Sequence, residues 1–157
     1  MKPYKPLIVI ILVVFFSSLA IQRGQGQAAA WMHDFMGLFL VVFAMFKLLD
    51  VPGFAEGFSM YDILAGRFRF YGFAYPFIEL FLGLAYLARI SSAALYALTV
   101  VLMLFGGIGV IKSLVKGLDV HCACLGTVLK VPLSTVAVFE DLGMALMAFI
   151  MLGRFIK

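Results

Sequence analysis

Apolar residues in this chain come in long unbroken runs, and polar positions gather between them. Five runs stand out: Leu7–Ile21, Trp31–Leu49, Phe70–Ala88, Ala93–Val115 and Val131–Leu152. Each is far longer than a typical strand. A helix of about 20 apolar residues spans the hydrocarbon core of a bilayer. Helices satisfy their own backbone hydrogen bonds, which lipid cannot do for them. The pattern therefore predicts an all-α polytopic membrane bundle with about five transmembrane segments. The longest polar-accented connection, Asp50–Arg69, contains Pro52-Gly53, Gly57 and Gly66. Its aromatics Phe54, Phe58, Tyr61 and Phe68, with Phe70 and Tyr71 just beyond, suit a short amphipathic helix lying at headgroup level.

Composition strengthens this reading. Of 157 residues, 65% are hydrophobic and 13% charged; soluble domains carry about 45–50% and about 25%. A water-soluble fold of this size could not hide that much apolar surface. The partner is the lipid bilayer, and the net charge of +4 bears on orientation and not on nucleic acid. Lys2, Lys5, the first apolar run and Ala28-Ala29-Ala30 also have the outline of a signal peptide. The polar spacer Gln22–Gln27 is long for a cleavage region, so residues 1–30 are expected to form a retained first helix and linker. Residues 31–157 would then be the membrane domain.

With the amino terminus inside, Lys2, Lys5, Lys47, Arg67, Arg69, Lys112, Lys116 and Lys130 fall on the cytoplasmic side. Arg23, Arg89, Arg154 and Lys157 fall outside. Eight against four favours that orientation, and places the connection after the fourth run in the cytoplasm.

Ionisable groups within apolar runs are expensive in lipid and mark either function or structure. Glu79 sits mid-run, three residues after Pro76: a proton or cation site, or a hydrogen bond joining two helices. Lys47 and Asp50 share a helix face at a spacing of three and are expected to pair there, although Lys47 can also meet Glu79. Glu140 and Asp141 point about 100° apart on a helix. One is expected to face the bundle while the other reaches the headgroups or a polar groove. Their proximity gives at least one a reason to hold a proton. His33 and Asp34, within Met32-His33-Asp34-Phe35-Met36, offer a lesser soft-metal option. Gly106, Gly107 and Gly109 read as helix-packing positions.

The only two cysteines stand in Val120-His121-Cys122-Ala123-Cys124-Leu125-Gly126. As thiolates they can hold a soft ion such as Cu(I), with His121 as a third ligand. As a disulfide, so short a ring departs from relaxed geometry and suits a reactive bond. They can also be two small inert side chains. Zinc lacks the ligands to close a tetrahedral site. No Ser-His-Asp set, phosphate-binding glycine loop or paired-carboxylate hydrolase motif is present. Any enzymatic role would therefore be thiol–disulfide exchange.

Three pieces carry a family likeness: Phe46-Lys47-Leu48-Leu49-Asp50, the run from Tyr75 through Glu79 to Gly83, and Cys122-Ala123-Cys124-Leu125-Gly126. With their flanks, over about residues 31–152, they resemble the methylamine utilisation protein MauE family of DoxX-like, redox-associated membrane proteins. The resemblance implies a four-helix membrane core in the bacterial inner membrane, to which this chain adds a first helix. It also implies support for maturation of an exported, disulfide-rich partner alongside a thioredoxin-like protein, with Cys122 and Cys124 as the redox pair. The chain is similar, too, to members that follow a heavy-metal-associated domain. That likeness points instead to Cu(I) or Hg(II) and a metal chaperone as partner.

Overall fold

The computed structural model describes residues 5–22, 28–117 and 135–156. They form seven helices: α1 (Lys5–Ile21), α2 (Ala28–Leu48), α3 (Val51–Ser59), α4 (Ile63–Arg67), α5 (Arg69–Leu87), α6 (Ala93–Val115) and α7 (Thr135–Ile156). The described residues contain no strand. Among them α2, α5 and α6 are long and apolar enough to cross a membrane, and α1 is a shorter apolar helix. The fourth apolar run coincides with α6. The fifth overlaps α7, which extends beyond it to Ile156; Val131–Ser134 lie outside the described residues. Helix α5 continues through Pro76.

Lipid gives helices no hydrophobic reason to associate, so small residues and buried polar contacts have to hold them together. The structure follows that rule. α2 and α5 run antiparallel with Gly83 against α2: a Cβ placed there would lie 2.9 Å from the Val41 backbone nitrogen. α7 runs antiparallel to α6, with Asp141 beside Gly107 at one end and Phe155 against Tyr96 at the other, ring centroids 6.1 Å apart. α1 packs on the start of α2 through Phe15 and Trp31. Large apolar side chains such as Phe81, Leu146 and Phe149 point outward from the bundle, as residues facing lipid should.

The Asp50–Arg69 connection differs from expectation. It forms two short helices, α3 and α4. Asp50 caps α3 by accepting the Gly53 amide at 3.0 Å. Asp62 caps α4 by accepting the Leu64 and Ala65 amides at 2.9 and 2.8 Å. Phe54, Phe58 and Tyr61 do not lie on the outer surface of the protein. They are buried, and Phe58 packs on Tyr75 of α5 at 4.7 Å. The pair α3–α4 thus plugs one end of the bundle, and only Phe68 and Phe70 keep the exposure foreseen for the whole set. Gly109 admits the plug: a Cβ there would stand 2.8 Å from the Tyr61 carbonyl oxygen.

Candidate functional site

Beneath this plug lies a cavity of about 30 Å³ whose wall includes Lys47, Glu79, Glu140 and Asp141. That is room for one or two water molecules. Lys47 comes from the last turn of α2 and Glu79 from the middle of α5. The lysine Nζ donates to both carboxylate oxygens, at 2.7 and 2.6 Å, and both side chains are almost wholly buried. Two aromatic faces complete the surroundings of the ammonium: Tyr75 with its ring centroid at 5.0 Å and Phe54 at 5.6 Å. Such contacts gain strength once the cation is desolvated.

Sequence spacing favoured Lys47 with Asp50. The structure gives Lys47 to Glu79 and uses Asp50 as the α3 cap. A carboxylate stranded in the middle of α5 needs a cation more than one at a helix end, where water and backbone amides serve it. Glu140 and Asp141 also depart from expectation, since both line the one cavity. Asp141 reaches it past Gly106 and Gly107, where an added Cβ would stand 3.5 Å from Asp141 Oδ2 and 3.4 Å from Asp141 Cβ, ordinary van der Waals contact. Those glycines are the packing positions of α6 that face Asp141. Glu140 Oε1 is buried with no hydrogen-bond partner among the described residues.

The cavity therefore opposes one ammonium to three carboxyl groups. Proton uptake, pairing and trapped water are the available ways of meeting the cost of such burial. Chemically the arrangement can hold a proton.

The second polar cluster stands at the other end of α2. His33 Nε2 and the Tyr96 hydroxyl are 2.9 Å apart. Asp34 Oδ2 accepts from Gln22 Nε2 at 2.7 Å and from Arg89 Nη2 at 3.0 Å. Met36 is fully buried in the core. His33 and Asp34 are thus engaged in tying α2 to α1, to α6 and to the end of α5. Among the described residues no group of three or more His, Cys, Asp or Glu side chains could hold a metal ion. His121, Cys122 and Cys124 lie outside the described residues. By sequence they fall between α6 and α7.

Sequence reasoning missed Tyr75 and Phe54 as neighbours of Lys47. Tyr75 carried a usable signal, one helical turn before Glu79 and so on the same face. Phe54 carried none, since its position depends on how α3 folds back.

No curated protein and no solved structure matches the chain. The model of the methylamine utilisation protein MauE family matches residues 25–154, and the chain belongs to that family of membrane proteins.

Proposed function

We propose that this multi-pass membrane protein supports the maturation of a partner protein by thiol–disulfide exchange through Cys122 and Cys124. One observation carries the reading. The chain has two cysteines, and both fall within three residues of the connection between α6 and α7. Two thiols set so close serve exchange well. A thiolate of one cysteine attacks the partner's disulfide, forming a mixed disulfide and releasing a partner thiolate. The second cysteine then attacks the mixed disulfide, closing Cys122–Cys124 and releasing the second partner thiol. The partner gains two electrons and this pair loses two; the reverse sequence oxidises the partner. A thioredoxin-like protein is the natural agent for resetting the pair, by the same exchange.

Membership of the MauE family supports this role. His121 supports a second reading. One nitrogen and two sulfurs within four residues form a soft-donor set suited to Cu(I) or Hg(II), with a metal chaperone as partner. Orientation separates the two, because free thiolates persist on the reducing side and disulfide chemistry on exported proteins belongs to the oxidising side. The charge balance puts the cysteines in the cytoplasm and so leans toward metal; the family leans toward exchange.

The deciding experiment is thiol labelling of Cys122 and Cys124 from each face of intact vesicles, combined with trapping. Exchange predicts labelling from the outer face and a reducible mixed disulfide between the Cys124→Ala variant and a thioredoxin-like partner. Metal binding predicts labelling from the cytoplasmic face and stoichiometric Cu(I) binding that Cys122→Ser abolishes. A Cys122→Ser/Cys124→Ser variant that supports maturation and binds Cu(I) as the wild type does would overturn both.

A further inference from the structure

At the end of the bundle opposite the Lys47–Glu79 pair, a cleft of about 340 Å³ opens where α2 begins, α5 passes into α6, and α7 ends. Its polar lining is Arg89, Arg154, Ser91, His33 and Tyr96, and no carboxylate lines it among the described residues. We propose that this cleft binds a phosphate anion at the membrane surface, the chemistry shared by an anionic phospholipid headgroup and free inorganic phosphate.

Three independent observations carry the assignment. The first is the backbone of Arg89. Helix α5 ends in a left-handed cap in which the Arg89 amide donates to the Tyr86 carbonyl at 2.9 Å and the Ile90 amide to the Ala85 carbonyl at 3.1 Å. The residue in the left-handed position is usually glycine; here it is Arg89, with φ of 54°. An arginine held in a conformation that glycine adopts without strain points to a use for its side chain. Asp34 steadies that guanidinium at 3.0 Å, yet 41% of the Arg89 side chain remains open.

The second is Arg154. It lies in the last turn of α7 and lines the same cleft, and no ion pair to it occurs among the described residues. Two guanidinium groups lining one cleft suit the bidentate recognition of phosphate. The third is the start of α6, a 23-residue helix whose cap residue Ser92 makes no side-chain cap bond. Its first amides and its dipole favour an anion beside Ser91. The apolar wall of the cleft includes Phe155, half exposed. Four helix ends meeting here set the cleft at headgroup depth, where such an apolar wall gives an acyl chain a surface to lie on.

The test is native mass spectrometry of the protein in uncharged detergent, after equilibration with phosphatidylglycerol or phosphatidylcholine. The wild type should retain phosphatidylglycerol preferentially. Arg154→Gln and Arg89→Gly should each lower retention by about tenfold or more, and Arg154→Lys should restore part of it as a point charge. Arg89→Gly suits the left-handed backbone but strips the buried Asp34 carboxylate of its arginine partner; circular dichroism, unfolding temperature and monodisperse elution therefore check both variants, and Asp34→Asn/Arg89→Gly, which strands no charge, should lose the lipid to the same extent. Millimolar inorganic phosphate distinguishes the sources. Displacement of the lipid assigns the site to the phosphate group alone, and persistence of the lipid assigns it to the headgroup with its chains. Equal retention of both lipids, or undiminished phosphatidylglycerol in both Arg154→Gln and Arg89→Gly, would overturn the proposal.

Discussion

Lys47 of α2 and Glu79 of α5, 32 residues apart in the chain, form a buried two-point ion pair with Nζ 2.7 and 2.6 Å from the carboxylate oxygens. This pair joins the two helices, and it holds a cation in the cavity that Glu140 and Asp141 also line. Removing one member of a buried pair strands the other at a cost of about 3–5 kcal/mol. The two removals should not cost the same. Lys47→Met leaves three carboxyl groups in one cavity with no cation. Glu79→Gln leaves an ammonium that still shares the cavity with Glu140 and Asp141. The expected outcome is a loss of about 3–5 kcal/mol for Lys47→Met, and of about 1–2 kcal/mol for Glu79→Gln, whose amide still accepts a hydrogen bond. Thermal unfolding of both variants in mild detergent checks the order; equal losses would mean that the two acids of α7 do not sense the lysine.

The rings around Lys47 permit a narrower test. Tyr75→Phe keeps an aromatic face 5.0 Å from the ammonium, whereas Tyr75→Leu removes it. A desolvated cation–π contact is worth about 2 kcal/mol. Tyr75→Leu should therefore lose roughly that much beyond Tyr75→Phe, and the difference should disappear in a Lys47→Met background. A double-mutant cycle measures it. A difference that survives the lysine's removal would assign the effect to packing against Phe58.

The apolar runs made the membrane helices legible from sequence, because a 20-residue span needs little help from its neighbours to be recognised. The Lys47–Glu79 pair was visible only as one of two choices. A spacing of three is a local fact, but pairing across 32 residues depends on how α2 and α5 slide past each other, and Gly83 sets that register through backbone contact. Glu140 and Asp141 were read as diverging because an isolated helix does separate adjacent residues. Their convergence on one cavity depends on how α7 packs against α6, a tertiary circumstance. The burial of Phe54 and Phe58 had the same origin: amphipathic patterning says that a face is apolar but not whether lipid or protein covers it. The left-handed Arg89 carried no sequence signal, since nothing but the absence of glycine marks the end of α5.

Glycines in these helices should divide sharply by what surrounds them. At Gly109 an added Cβ meets the Tyr61 carbonyl oxygen at 2.8 Å and the Asp62 Cα at 3.1 Å, both backbone atoms that cannot swing aside. Gly109→Ala should cost about 1–3 kcal/mol, the usual penalty of overpacking, and should loosen the α3–α4 plug. At Gly143 nothing lies within 4 Å. There alanine should gain roughly 0.5–1 kcal/mol by restricting the unfolded backbone. Opposite shifts in unfolding temperature would confirm that α6 contacts the plug backbone to backbone; parallel shifts would exclude it.

Asp62 gives the plug a pH dependence with a defined sign. It caps α4 in the connection between spans, and burial pushes its carboxyl above the ordinary aspartate value of 3.8, opposed by the amides of Ala65 and Leu64. The folded protein thus holds the Asp62 proton more tightly than the unfolded chain does. Between the two pKa values the folded state binds more protons, so stability falls as pH rises through that window and levels off above the folded value. Below 3.8 the group is protonated in both states and contributes no slope. Asp62→Asn keeps a side-chain oxygen for the cap and removes the titration. It should match the wild type at low pH and exceed it at neutral pH. Asp62→Ala loses the cap and should fall below Asp62→Asn by about 1 kcal/mol at every pH. Unfolding temperatures of the three proteins from pH 4 to 8 decide the matter. If the wild type gains stability toward neutrality relative to Asp62→Asn, the charged carboxylate is the form that this connection was built around.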